Sequence, residues 1–179
     1  MVAYLDQARG GQKGFEMNTQ SKNSTETDLY EGDVFVLLAD YELSRAQRYP
    51  TPVTVLFITL NLDEIKPKIV KSVKQLFAGI LNSSLRVSDI PAYYQNDFLV
   101  LMPATDEIGG QAAASRLIAR LKCTRNFADG TLFKFNVHIG ISSHSGGEGT
   151  SAEELIAEAK QASQEAKKQG PQALAIHYH

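Results

Sequence analysis

The eight residues Val53-Thr-Val-Leu-Phe-Ile-Thr-Leu60 form a β-branched, apolar run with apolar side chains at both parities. A strand with one wet face alternates, whereas a run apolar on both faces needs cover on both. This run therefore suits an interior strand, with helices on one side and further structure on the other. Everything around it has to supply that cover.

The flanking segments do. From Glu31, Val34, Leu37, Leu38 and Tyr41 recur at the spacing of an apolar helix face, and Pro50 closes that helix by constraining Tyr49. After Pro67, Ile69, Val70, Val73, Leu76, Phe77, Ile80 and Leu81 predict a second amphipathic helix. Two short apolar runs, Ile90 to Tyr94 and Phe98 to Pro103, are separated by Gln95-Asn96-Asp97 and predict a β-hairpin. Thr105 is the expected cap of a third helix carrying Ala114, Leu117, Ile118 and Leu121.

Phe133, Phe135, Val137, Ile139 and Ile141 then alternate with Lys134, Asn136, His138, Gly140 and Ser142, the pattern of a half-buried strand. Ser151 with Glu154 forms a capping box for a last helix ending at Gly170, and a short strand from Ala173 to Tyr178 closes the chain. A hairpin set among helix crossovers excludes a doubly wound parallel sheet. The expected class is α+β, a mixed, largely antiparallel central sheet with flanking helices.

Composition bounds the function without naming it. The 179 residues suffice for one core, which residues 29–179 supply. Residues 1–28 are rich in Gly, Ser, Thr, Asn and Gln, and read as a flexible extension or a linker to another domain. With 18 basic and 20 acidic side chains, the net charge of -2 gives no basic footprint for nucleic acid. No apolar run approaches the roughly 18 residues of a membrane span, and the N-terminus lacks the apolar core of a secretion signal. The single cysteine, Cys123, can form no internal disulfide, so the expected location is cytoplasmic.

Several segments match one family in order and spacing. They are Glu42-Leu-Ser-Arg-Ala-Gln-Arg-Tyr49, Asn61-Leu-Asp63-Glu-Ile-Lys66, Arg86-Val-Ser-Asp89 and Phe98-Leu-Val-Leu-Met-Pro103. Val137-His-Ile-Gly-Ile141 and Ser151-Ala-Glu-Glu-Leu155, with Ala166-Lys167 and Gly170, complete the series. Across about residues 29 to 179 the chain resembles the GGDEF domain of diguanylate cyclases. That resemblance implies a palm-like fold shared with nucleotide cyclases and polymerases, and a place in bacterial signalling. In active members two GTP-loaded domains meet and form cyclic di-GMP.

Joining two GTP molecules needs divalent metals held by carboxylates, and glycines where backbone must approach phosphate. The family's first strand ends in Asp-x-Asp, the first Asp being a metal ligand; here Asn61 stands there, a poor ligand for hard Mg2+, with Asp63 as the second. The signature turn reads Gln95-Asn96-Asp97-Phe98, one residue shorter than Gly-Gly-Asp-Glu-Phe and without either glycine. After Lys66 the family's guanine-recognition segment is missing, since Pro67 leads straight into the helix. The family's Asp-x-Leu-Thr-Gly-Leu-x-Asn-Arg opening is absent as well. The expectation is a domain with no catalytic residues, no metal and no cofactor.

One family feature is kept. Many active cyclases carry an Arg-x-x-Asp product-inhibition site five residues before the signature turn, and Arg86-Val-Ser-Asp89 has that spacing. A guanidinium can donate a bidentate pair to guanine O6 and N7, and a carboxylate can accept from guanine N1–H and the amino group. Arg86 and Asp89 are therefore the candidate ligands for cyclic di-GMP. The competing reading makes Arg86 a favourable charge at a helix C-terminus and Asp89 a turn cap.

Other candidates rank lower. Tyr93 and Tyr94 are expected to pack on the sheet rather than stack on a base, and Gly109-Gly110 falls within a helix. Gly146-Gly147-Glu148-Gly149 lacks the Lys of a phosphate loop. His138, His177 and His179 have no ligand cluster at metal spacing. The partner expected is cyclic di-GMP, or else a protein partner or second copy bound by a domain that takes no nucleotide.

Overall fold

The computed structural model describes residues 27–63, 65–126, 130, 132–147 and 149–177. Nearly all of the expected extension lies outside the described residues, as do Tyr178 and His179.

The apolar run becomes β2 (Val53–Leu60), hydrogen-bonded antiparallel on one side to β4 (Asp97–Pro103) and on the other to β7 (Val137–His144). β3 (Ile90–Tyr94) lies outside β4, and β1 (Tyr30–Glu31) pairs parallel to it at the edge. β8 (Ala173–Ile176) pairs parallel to β7 at the other edge, giving a six-stranded sheet ordered β1-β3-β4-β2-β7-β8. β5 (Arg125–Asn126) and β6 (Leu132–Phe133) make a separate two-stranded ribbon. The mixed, largely antiparallel α+β architecture read from the sequence is the architecture observed.

The two parities of β2 explain its composition. Leu56, Ile58 and Leu60 pack with Phe77 and Leu81 of α2 (Pro67–Ser84) and with Leu117 and Leu121 of α3 (Glu107–Leu121). Val53, Val55 and Phe57 pack instead with Phe35 and Leu43 of α1 (Gly32–Arg48) and with Leu155 and Ala159 of α4 (Ala152–Lys168). Each face of the sheet thus carries two helices, and the central strand has no wet side. Phe77 lies against Phe98 and Phe135 with centroids 4.6 and 5.7 Å apart, which anchors α2 over the hairpin.

Five expectations need correction. The buried face of α1 is Phe35, Ala39, Leu43 and Ala46, while Leu37 and Tyr41 are 70% and 68% exposed. The run Val34-Phe-Val-Leu-Leu38 is apolar all round, so helical spacing alone fits more than one face. β7 is buried on both sides rather than one, because α4 packs onto its polar parity. Gly140 permits this: a Cβ there would overlap the Ala159 carbonyl oxygen and the Ser163 amide. Phe133 and Phe135 precede that strand instead of belonging to it.

The cap of α3 is Asp106, whose carboxylate accepts from Gly109 N–H at 2.8 Å; Thr105 is buried beside it and its carbonyl accepts from the Thr54 hydroxyl. The hairpin turn is Gln95-Asn96 alone, with Asp97 already in β4 opposite Tyr94. The Ser151–Glu154 capping box is present as read, both of its hydrogen bonds being made.

Candidate functional site

α2 ends at Ser84, and Leu85 leaves in an extended conformation. The next four residues close a turn on themselves: Asp89 N–H donates to the Arg86 carbonyl at 3.1 Å, and Arg86 N–H donates to Asp89 Oδ2 at 2.9 Å. Asp89 is only 6% exposed, and its other oxygen, Oδ1, is buried without a hydrogen-bond partner among the described residues. A buried carboxylate oxygen without a donor is costly, so it favours any donor that can reach it. Arg86 itself is exposed.

Two further arginines reach the end of α2 from α3. Arg120 Nη1 donates to the Ser83 carbonyl at 2.7 Å and to Ser84 Oγ at 2.8 Å, and Arg116 Nη2 lies 3.4 Å from the Ser84 carbonyl. These guanidinium groups cap the orphan carbonyls at the C-terminus of α2, where positive charge is favoured. With Arg86 two residues past Ser84, three arginines stand at the C-terminal end of α2. Sequence reasoning missed Arg116 and Arg120. Their i, i+4 spacing on one exposed helix face was legible, but the meeting of that face with the end of α2 is a tertiary fact.

The signature turn lies at the other end of the hairpin. Gln95 and Asn96 have φ of 54° and 87°, so the two-residue loop has the left-handed pair of a tight hairpin turn. Asn96 Oδ1 accepts from the Tyr93 hydroxyl at 3.1 Å and from Lys74 Nζ at 3.2 Å, and Lys74 Nζ also donates to Tyr93 Oη at 2.6 Å. Lys74 reaches this point from α2 and is nearly buried. Tyr93 stacks edgewise on Phe98 and Tyr94 on Phe57, so both rings pack on the sheet, on opposite faces.

Asp97 continues the row across β2, since Ile58 is in register with Phe98. Burial raises its carboxyl above the ordinary value, opposed by a hydrogen bond from the Thr59 hydroxyl and by the charges of Lys160, Lys167 and Lys74. Thr59 Oγ1 is 3.2 Å from Ser163 Oγ of α4, which donates to the His138 carbonyl. His138 is 3% exposed, and burial followed by the nearby Lys167 charge holds its imidazole below the ordinary value, against a backbone hydrogen bond with Gly170.

Asn61 stands just past β2. Its side-chain oxygen accepts from Asp63 N–H at 2.9 Å, closing an Asx turn, and its own N–H donates to the Asn136 carbonyl. Phe98 is fully buried in the core. Among the described residues no group of three or more His, Cys, Asp or Glu is placed to hold a metal ion. A groove of about 550 Å³ lies between the start of α2 and the β5–β6 ribbon, bounded by Ile65, Lys66, Ile69, Thr124, Phe133 and Lys134. It lies beside the place where the family's base-recognition segment would follow Lys66.

A helix-flanked palm with a turn at one end of its hairpin and an arginine-rich corner at the other defines a nucleotide-cyclase-like signalling domain. The sequence model of the diguanylate cyclase GGDEF domain matches residues 25–173, and the chain belongs to that family. No curated protein matches it in sequence. Among solved structures it is similar to the GGDEF domain of YfiN (TpbB) from Pseudomonas aeruginosa, with 22% identity over 87% of this chain and 94% of that one, TM-score 0.79.

It is also similar to the GGDEF domain of DgcB from Caulobacter crescentus in complex with c-di-GMP, with 13% identity over 88% and 94% of the two chains, TM-score 0.80. A third is the diguanylate cyclase SiaD in complex with its activator SiaC, from Pseudomonas aeruginosa, with 18% identity over 87% of this chain and 62% of SiaD, TM-score 0.80. At these identities the likenesses establish the fold. Among the described residues no helix is long and apolar enough to cross a membrane.

Proposed function

We propose that this chain is a cytoplasmic GGDEF domain without cyclase activity that receives cyclic di-GMP at the corner formed by Arg86, Asp89 and Arg116, with residues 29–179 as the working domain. The observation that carries the reading is the buried, unpartnered Asp89 Oδ1 beside an exposed Arg86. A guanine edge offers the N1–H and amino donors that this oxygen lacks, and O6 and N7 for the guanidinium. Arg116 and Arg120 supply positive charge for the two phosphates, where a planar fork is better suited than an ammonium. Because Oδ1 is covered, the Arg86–Asp89 turn has to loosen as the ligand enters.

The loss of cyclase activity rests on the other end of the domain. The Asn61 amide oxygen is engaged by Asp63 N–H, and the shortened turn offers Asp97 as its one carboxylate. That carboxylate is raised by burial and faced by three lysines, an environment that opposes a divalent cation. These residues do not fit the metal that the family's chemistry requires. The two-residue turn, with Lys74 and Tyr93 holding Asn96, also has no glycine to admit a triphosphate.

Isothermal titration with cyclic di-GMP tests the receptor reading, with Arg86→Ala as the control. Saturable heat that Arg86→Ala abolishes is expected, and no heat at high micromolar ligand sinks the reading. Incubation with GTP and Mg2+ should yield no cyclic di-GMP. A second reading has its own observation: Asp89 Oδ2 already caps Arg86 N–H, so the motif can serve the turn alone. The domain would then act as a protein-docking or dimerisation module, and a null titration with a folded chain favours it.

A further inference from the structure

We propose that the exposed face of α1 is a self-association surface, on which a second copy of this chain docks with its own α1 running antiparallel. Leu37 and Tyr41 are 70% and 68% exposed at the middle of the helix, with Val34 half-buried beside them and Tyr30 exposed just before it. Within α1, Val34, Leu37, Tyr41, Ser44 and Arg48 follow one another in alternating steps of three and four. That is the spacing of a two-helix seam, and it falls on the side of α1 turned away from the sheet.

The ends of the helix choose the orientation. Glu31 and Asp33 stand at its N-terminal end, and Arg45 and Arg48 in its last turn. A parallel pair would set Arg48 against Arg48 and like helix poles together. An antiparallel pair centred between Leu37 and Tyr41 sets Leu37 on Tyr41 of the second copy and Val34 on its Ser44. It also brings the N-terminal end of one helix, with Glu31, near Arg45 and Arg48 of the second copy. Arg45 is engaged by Glu42 of its own helix through Nε and Nη2, which leaves Nη1 for this contact. Asp40, the mid-helix acid that would meet its own copy, is drawn aside to the Ala152 N–H at 3.1 Å.

The seam is self-complementary, as a two-fold interface requires. Two short helix faces bury less than about 1,200 Å² in total, the range of weak, reversible contacts. Sedimentation velocity of the full chain from low micromolar to millimolar concentration should therefore show a concentration-dependent shift toward dimer. Leu37→Glu should weaken association by about tenfold or more. Because Leu37 is exposed, the variant's circular dichroism and melting should stay as in the parent.

The orientation is read by cysteine pairing in a Cys123→Ser background. The double variant Val34→Cys/Ser44→Cys should form an intermolecular disulfide under mild oxidation. Val34→Cys alone should not, since antiparallel register holds the two positions 34 about 15 Å apart along the axis. A monomer at every concentration overturns the proposal, whether the face stays bare or the chain's own first 26 residues cover it. A dimer indifferent to Leu37→Glu, or cross-linking by Val34→Cys alone, overturns it as well.

Discussion

Lys74 Nζ stands 2.6 Å from the Tyr93 hydroxyl, which ties the middle of α2 to the last turn-bearing residues of the hairpin. Both groups also bond to Asn96 Oδ1, so a lysine 6% exposed, a phenol and an amide form one closed network. Lys74→Met keeps the apolar stem and removes all the ammonium's bonds. The expected loss is about 1–3 kcal/mol, since a half-buried phenol and an exposed amide lose a charged donor. For a domain of this size that lowers the melting temperature by roughly 2–10 °C, measured by calorimetry. No change in melting would show that the network contributes nothing.

Gly140 and α4 are related more simply. The helix backbone lies directly on the glycine, where a Cβ would meet the Ala159 carbonyl and the Ser163 amide. Backbone cannot yield as a flexible side chain can. Gly140→Ala should therefore cost more than an ordinary overpacking of about 1–3 kcal/mol, and soluble folded protein should fall sharply. Gly79→Ala, on an exposed helix position with open space around it, is the matched control and should be neutral or slightly stabilising. Equal yields and equal denaturation midpoints for the two variants would contradict the packing.

How much of this could be read from the chain follows from what each inference depended on. The two-sided burial of β2 was legible because one strand carries its pattern in its own eight residues. The capping box at Ser151 was legible for the same reason, donor and acceptor being three residues apart. The buried face of α1 was not, because Val34 to Leu38 offer apolar residues in every direction and only the sheet selects Phe35. Two-residue strands such as β1 and β5 exist only through their partners, so no local signal announces them. At the candidate site, Arg86 and Asp89 were legible as a motif. Arg116 and Arg120 were not, since nothing local brings α3 to the end of α2.

His138 gives the fold a pH dependence of known sign. Its imidazole titrates below its ordinary value of 6.5 in the folded chain, through burial first and the Lys167 charge second. Below 6.5 the unfolded chain takes up the proton before the folded one, so stability falls as pH drops through the window beneath 6.5. Above 6.5 both states are neutral and the contribution vanishes. Asp97 acts in the opposite sense at lower pH, because its raised carboxyl lets the folded state bind the proton first above 3.8. Urea denaturation should therefore give a higher midpoint at pH 7.5 than at pH 5.5, by at most about 1.4 kcal/mol per pH unit from one group. In His138→Gln that difference should shrink, and an undiminished difference would assign the pH dependence elsewhere.

Under the proposed receptor reading, Arg116 and Arg120 divide binding from stability at the end of α2. Arg120 makes the closer contacts, 2.7 Å to the Ser83 carbonyl and 2.8 Å to Ser84 Oγ, so its main work is to cap α2. Arg120→Ala should lower stability by about 1 kcal/mol, the scale of one hydrogen-bonded cap at an exposed helix end. Arg116 is held only at 3.4 Å, and its guanidinium is the freer of the two to turn toward a phosphate. Arg116→Ala should leave the melting temperature within a degree or so of the parent and weaken cyclic di-GMP binding by about tenfold, the loss of one charge-assisted contact. The remaining affinity should fall as salt is raised, because phosphate pairing is screened. Calorimetric titration of both variants at two salt concentrations reads these outcomes. If Arg120→Ala weakened binding more than Arg116→Ala at equal stability, the roles assigned to the two arginines would be reversed.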